Sequence, residues 1–157
     1  LAAGKPMIVD ADALNLLARS PWRGPQWVLT PHPGEAARLL GMEPSAVQAD
    51  RLSALRALAD RYGGISVLKG AGSLVLGPSG RPWLCDAGNP GMAVAGMGDV
   101  LTGTIAGIAA QSRDLERAAV AGVWVHARAG DLAAGRGQRG LLASDLMEAL
   151  RACVNPA

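Results

Sequence analysis

Aromatic side chains are scarce in this chain: they make up 3% of its residues, and phenylalanine is absent. Its core must therefore be built from Leu, Val, Ile, Met and Ala. Lysine is equally sparse. Of 15 basic residues only Lys5 and Lys69 are lysines, which singles out Lys69. No charge of one sign prevails. A net charge of +2 with 18% charged residues is too small and too dispersed for a nucleic-acid surface. The two cysteines, Cys85 and Cys153, have neither metal-ligand spacing nor the look of a disulfide framework, which fits a reducing compartment. The longest apolar helical stretch, near Val100 to Ala110, is too short for a bilayer. The first residues lack a basic stretch followed by an apolar one. The expectation is a cytoplasmic protein with neither membrane nor nucleic acid as partner. The 157 residues suffice for one domain with a sizeable core. The opening Leu1-Ala2-Ala3-Gly4-Lys5-Pro6 reads as a helix end and a turn placed directly before a strand, as in a chain that starts mid-domain.

What is abundant is glycine, and it is concentrated. Gly88, Gly91, Gly96 and Gly98 punctuate one loop, which runs through Asp99 into an apolar helical segment from Gly98 to Gln111. Glycine permits close approach of a ligand to the backbone. A helix start offers unpaired N–H groups and the positive end of the dipole. Together they make a cradle for an anion, most often phosphate. Asp99 is the odd member, because a carboxylate repels a phosphate. Two readings stand side by side: a first-turn acid that stabilises the helix, or a base that takes a proton from a hydroxyl attacking the phosphate.

The rest of the chain alternates. Met7-Ile8-Val9, Trp27-Val28-Leu29-Thr30 and Ile65-Ser66-Val67-Leu68 read as buried strands. Ser73 to Gly77 and Arg81 to Cys85 read as a hairpin. Asp10 and Asp12 follow the first strand, either as helix caps or as cleft-lining groups; Asp12 is the expected N-cap of a helix over 13–19. Pro31-His32-Pro33-Gly34-Glu35 follows the second strand, and its prolines pin His32 and Glu35 to a strand-to-helix junction. Ser45-Ala46-Val47-Gln48 reads as a capping box. Leu52, Leu55, Leu58 and Tyr62 recur at helical spacing, with Arg51, Arg56, Asp60 and Arg61 off that stripe; this helix is assigned no chemistry. Lys69-Gly70-Ala71-Gly72-Ser73 leaves the third strand where a lysine meets phosphates or simply faces solvent. A second long helix covers 114–134, with His126 read as structural, and Ser144 is expected to cap a last helix. Strands alternating with helices argue an α/β fold, a mostly parallel sheet flanked by helices, with polar junctions where such sheets bind nucleotides.

Five phrases in fixed order carry a resemblance: Val9-Asp10-Ala11-Asp12-Ala13-Leu14-Asn15, Leu29-Thr30-Pro31-His32-Pro33-Gly34-Glu35, Leu68-Lys69-Gly70-Ala71-Gly72-Ser73, the loop Gly88-Asn89-Pro90-Gly91-Met92 through Gly98-Asp99-Val100-Leu101-Thr102-Gly103, and Gly140-Leu141-Leu142-Ala143-Ser144-Asp145. The chain resembles the ADP/ATP-dependent NAD(P)H-hydrate dehydratases of the ribokinase-like superfamily. That resemblance implies dehydration of the S form of NADH or NADPH hydrate at the expense of ADP or ATP: the hydrate hydroxyl is phosphorylated and phosphate is then eliminated. It implies Asp99 as catalytic base facing the hydrate, and His32 as a hydrate contact. It implies Lys69, Gly70, Ala71, Gly72, Ser73 and Gly98 as the adenine-nucleotide site, and the N–H groups of Gly96, Met97 and Gly98 as the phosphate cradle. Glu35 matches an acid near Mg²⁺, acting through water. The family also implies a homo-oligomer.

Two departures accompany the likeness. Ala95 and Val94 stand where the family favours glycine and Thr or Ser. The family's domain also has a substantial portion before the Asp10-Ala11-Asp12 strand. Residues 1–157 are therefore expected to form a single domain that is the C-terminal portion of a larger ribokinase-like one, its first strand an unpaired apolar edge; the chain alone is then expected to be unstable, to associate through that edge, or to sit beside a separate N-terminal segment. Two other functions use the same residues: a ribokinase-like small-molecule kinase that stops after phosphoryl transfer, and a non-catalytic fragment that only binds adenine nucleotide.

Overall fold

Side-chain alternation along short strands divides the interior into two cores, one on each face of a single sheet. In the computed structural model, which describes residues 4–155, β1 (Met7–Val9), β2 (Trp27–Leu29), β3 (Ile65–Leu68), β4 (Ser73–Leu76) and β5 (Trp83–Cys85) lie in chain order across that sheet. Strands β1, β2 and β3 pair in parallel, and β3, β4 and β5 pair antiparallel. Trp27, Leu29 and Leu68 face one side, while Val28, Ile65 and Val67 face the other. The reading of Leu1 to Ala3 as a helix end lies outside the described residues.

Helices fill both faces. On the first, α1 (Ala11–Arg19), α2 (Pro33–Leu40), α3 (Pro44–Ala49) and α4 (Arg51–Tyr62) contribute Leu14, Leu39, Val47 and Leu55. On the second, α5 (Met97–Ala109) and α6 (Leu115–Ala133) contribute Leu101, Ile105, Ala119 and Val123. A smaller cluster joins Met97 and Ala129 to Leu146 of α7 (Leu146–Val154). This is the expected α/β architecture, with the hairpin in place. Strand β1 is an edge: it pairs with β2 alone among the described residues. Its faces are covered even so, by Met7 packing on one core and Ile8 on the other.

Three helix starts differ from the sequence expectation. Helix α1 begins at Ala11, so its N-cap is Asp10 and Asp12 sits in the first turn. Ser45 caps nothing: Pro44 fixes the first position of α3 after Glu43, and Asp50 caps α4 by accepting from the Ser53 N–H at 2.9 Å. Ser144 lies inside a 3-10 turn over Ala143–Asp145; Asp145 instead accepts from the Leu142 N–H at 2.8 Å.

Tyr62 and Trp27 tie the first core together. The Tyr62 hydroxyl donates to the Leu39 carbonyl at 2.7 Å, and the Trp27 indole N–H donates to the carbonyls of Tyr62 and Gly63. Both side chains are buried. Tyr62→Phe strips one donor from a dry interior and should lower the unfolding free energy by roughly 1–2 kcal/mol. Denaturant titration reads this as a lower midpoint with an unchanged slope.

Candidate functional site

The polar ends of β1, β2 and β3 meet the start of α5 at one cavity of about 830 Å³. Every site residue expected from the sequence lines it: His32, Glu35, Lys69, Gly70, Ala71, Gly72, Ser73, Gly96, Met97, Gly98 and Asp99. A second cavity of about 1010 Å³ lies between β5 and α6. Its wall holds none of these groups, so its greater size does not make it the site.

Lys69 is the hub. Leaving β3, its ammonium forms an ion pair with Asp10 at 2.8 Å and lies 3.7 Å from Glu35. The other Asp10 oxygen accepts from the Thr102 hydroxyl at 2.9 Å. One charge cluster thus joins β1, α2, β3 and α5. Burial alone would raise the Asp10 pKa; the Lys69 hydrogen bond and charge, with Thr102, outweigh it and hold the carboxyl below its usual range. Of the two sequence readings of Asp10, cap or cleft, its side chain adopts the second: it makes no cap hydrogen bond to α1. The neighbouring Ala11 has φ 48°, a left-handed conformation that costs an alanine roughly 1 kcal/mol.

The start of α5 is open. Its N-cap is Gly96 at φ 87°, with no side-chain cap. The Met97 N–H reaches the Val94 carbonyl at 3.5 Å and the Val100 N–H reaches Gly96 at 3.1 Å. Between them the N–H groups of Gly98 and Asp99 have no partner among the described residues. Gly98 is pressed against the hub: a Cβ there would lie 3.3 Å from the Lys69 ammonium and 3.5 Å from Asp10. Backbone donors and an ammonium therefore share one wall. The Asp99 carboxylate is exposed on that wall and makes no hydrogen bond among the described residues.

His32 and Glu35 hold each other. The His32 Nδ1 accepts from the Gly34 N–H at 3.0 Å and the Glu35 N–H at 3.4 Å, and the Glu35 carboxylate accepts from the His32 N–H at 2.7 Å. This capping box keeps the lone pair on Nδ1, so the ring proton sits on Nε2, 3.6 Å from the Glu35 carboxylate on a half-exposed side chain. Glu35 is 7% exposed. The glycine loop is anchored from α6: Asp131 accepts from the Gly88 N–H and from the Asn89 amide, both at 3.1 Å, while the Asn89 oxygen accepts from the Gly91 N–H.

Sequence reasoning missed three groups. Asp131 has no local motif. Arg51, placed off the apolar stripe of a helix assigned no chemistry, donates to the Lys69 and Gly72 carbonyls. His126, read as structural, is buried but lines the cavity, and its Nε2 has no partner among the described residues. Among those residues no group of three or more His, Cys, Asp or Glu could hold a metal, and no helix is long and apolar enough to cross a membrane.

With this geometry in view, comparison with known proteins is specific. Residues 1–152 match the family model described as NAD(P)H-hydrate dehydratase. The chain is 53% identical over 152 residues to a bifunctional NAD(P)H-hydrate repair enzyme of Coxiella burnetii, covering 96% of this chain and 31% of that protein. It is 44% identical over 156 residues to an ADP-dependent (S)-NAD(P)H-hydrate dehydratase of Neisseria meningitidis, covering 94% of this chain and 52% of that protein. The crystal structure of an ADP/ATP-dependent NAD(P)H-hydrate dehydratase from Bacillus subtilis, co-crystallised with ATP and Mg²⁺, matches with TM-score 0.85 at 31% identity. It covers 95% of this chain and 54% of that one. The chain thus spans about a third of the bifunctional relative's length and about half of the dehydratase's.

His126 also sets a pH dependence. Burial, and secondarily the Lys69 charge, lowers its pKa from 6.5 to about 4 against the raising effect of a Met97 backbone hydrogen bond. The unfolded chain therefore takes up this proton first as pH falls. Its contribution to stability is complete above pH 6.5 and drains away toward pH 4, about 3 kcal/mol in all. His126→Gln should flatten the dependence of unfolding free energy on pH in that window; parallel curves for variant and wild type contradict the assignment.

Proposed function

Because this chain belongs to the NAD(P)H-hydrate dehydratase family, we propose that it acts in ADP- or ATP-driven dehydration of the S form of NADH or NADPH hydrate. The observation that carries the reading is the α5 wall, where two unpartnered backbone N–H groups, an ammonium and a free carboxylate converge. Residues 1–157 make the C-terminal portion of a larger dehydratase domain, in keeping with the half-length match to the single-activity relative.

The residues divide the work. Lys69 through Ser73 and Gly98 line the adenine nucleotide. The amides at the start of α5, with Gly96 and Met97 shaping the turn, hold the transferring phosphoryl group; fixed dipoles stabilise developing charge at no reorganisation cost. His32 donates from Nε2 to the hydrate. Asp99 accepts the hydrate's hydroxyl proton as that oxygen bonds to the terminal phosphorus, and the nucleotide leaves one phosphate shorter. The carbon–oxygen bond then breaks. Phosphate departs with the former hydroxyl oxygen, the adjacent ring carbon gives up a proton, and the carbon–carbon double bond returns. Hydroxide is a poor leaving group near neutral pH and phosphate a good one, which is why the detour helps.

Four carboxylates, Asp10, Glu35, Asp86 and Asp99, line the cavity with one ammonium, Lys69, a formal charge of −3 before any phosphate arrives. That balance favours a nucleotide that brings its own cation. The donors fit a Mg²⁺ that keeps its waters and enters on the phosphates. One Glu35 oxygen is taken by the His32 N–H, and Glu35 would hold the ion through water. When bound, Mg²⁺ supplies charge neutralisation at the phosphate oxygens.

Asp99→Asn in the full-length enzyme should lower turnover of the S hydrate by about 10²–10⁴-fold while changing ADP affinity by less than about threefold. Recovery of reduced-nicotinamide absorbance measures the first and calorimetry the second. Equal losses of both would assign the carboxylate to structure.

A further inference from the structure

Arg51 opens α4 and lies outside the cavity wall, yet it gathers the backbone of the loop that forms that wall. Its Nη2 donates to the carbonyls of Leu68 at 3.2 Å, Lys69 at 3.4 Å and Gly72 at 3.1 Å. Its Nη1 donates to the Lys69 carbonyl at 3.4 Å and to the Gln48 side-chain oxygen at 3.0 Å. A guanidinium is planar, permanently charged and forked, so it can satisfy several carbonyls at once. An ammonium concentrates its donors at one point.

Direction follows from peptide geometry. A trans peptide holds its C=O and N–H on opposite sides. The Lys69 carbonyl points at Arg51, away from the cavity, so the N–H of the same peptide, that of Gly70, points the other way. Gly70 lines the cavity, and its N–H has no partner among the described residues. Glycine is required here on two counts. Its φ is 143°, and a Cβ would lie 2.7 Å from the Arg51 Nη1. The guanidinium can come close only because that side chain is missing.

We infer that Arg51 is a positioning residue that draws the loop's carbonyls outward and so presents the Gly70 N–H to a phosphate of the bound nucleotide. This rests on the nucleotide role of the loop proposed above. Arg51 touches no substrate; it sets the polarity of a backbone segment that has no regular structure of its own. The positive charge also neutralises the negative end of the Lys69–Gly70 peptide dipole, leaving the Gly70 N–H to face an anion.

Calorimetry with ADP and Mg²⁺ on the full-length enzyme tests it. Arg51→Met should weaken ADP binding about tenfold, the loss of one charge-assisted set of contacts. Arg51→Lys should recover little of it, because a lysine cannot span three carbonyls. At saturating nucleotide, kcat and the KM for the hydrate should stay within about twofold of wild type. Amide hydrogen exchange should quicken at Gly70 to Ser73 and not in the core strands. Gly70→Ala should reproduce the ADP loss by forcing the guanidinium away. Unchanged ADP affinity in Arg51→Met overturns the inference. So does a parallel fall of ADP affinity, hydrate affinity, kcat and melting temperature, which would mark a purely structural arginine. A wild-type enzyme that binds ADP but does not dehydrate the hydrate contradicts the proposed reaction and leaves this inference standing.

Discussion

The contact on which the site depends is the 2.8 Å ion pair between Asp10 and Lys69. It ties the end of β1 to the end of β3 across the intervening β2, and through Thr102 it fixes α5 to both. A lysine left half-buried without such a partner would lose hydration with no return. Here the pair is repaid by placement: the ammonium is held beside Gly98, against the open end of a helix. The sheet explains why these residues can meet. In parallel strands the carboxyl ends share one edge, and open α/β sheets place ligands beyond it.

Much of the rest of the wall is built by satisfying backbone groups. The α2 start is closed by the reciprocal capping of His32 and Glu35, and the glycine loop is closed by Asn89 and Asp131. The Lys69 and Gly72 carbonyls are closed by Arg51, and the Gly70 carbonyl by the Ser73 hydroxyl. The α5 start has neither a side-chain cap nor partners for the Gly98 and Asp99 amides among the described residues. The first N–H groups of a helix lack intrahelical partners, and an unpaired set beside a cation suits an anion, as the proposed function requires. The strained Ala11 next to Asp10 belongs to the same pattern.

Much of this was legible in the amino-acid order. Apolar triplets and quartets separated by helical stripes gave away β1, β2, β3 and α4, and the polar residues right after each strand had to share an edge. The cap positions were less legible, because local competition decides them. Pro44 pre-empted Ser45, and a carboxylate three residues away from a free N–H displaced Ser144. Arg51 was illegible for a different reason. Its carbonyl partners are 17 to 21 residues away, and an arginine off an apolar stripe looks solvated until the fold brings a loop to it. His126 and Asp131 lie on an alanine-rich helix whose weak amphipathicity does not say which face meets the cavity.

Whether the open start of α5 serves phosphoryl transfer to an alcohol is tested directly by the fate of one oxygen atom. The full-length enzyme would be given the S hydrate carrying ¹⁸O in its hydroxyl, together with ADP or ATP, and the products analysed by mass spectrometry. Transfer to the hydroxyl followed by elimination carries the label into inorganic phosphate. Label released into water, with unlabelled phosphate, would mean that the hydroxyl left without ever bonding to phosphorus and would contradict the account.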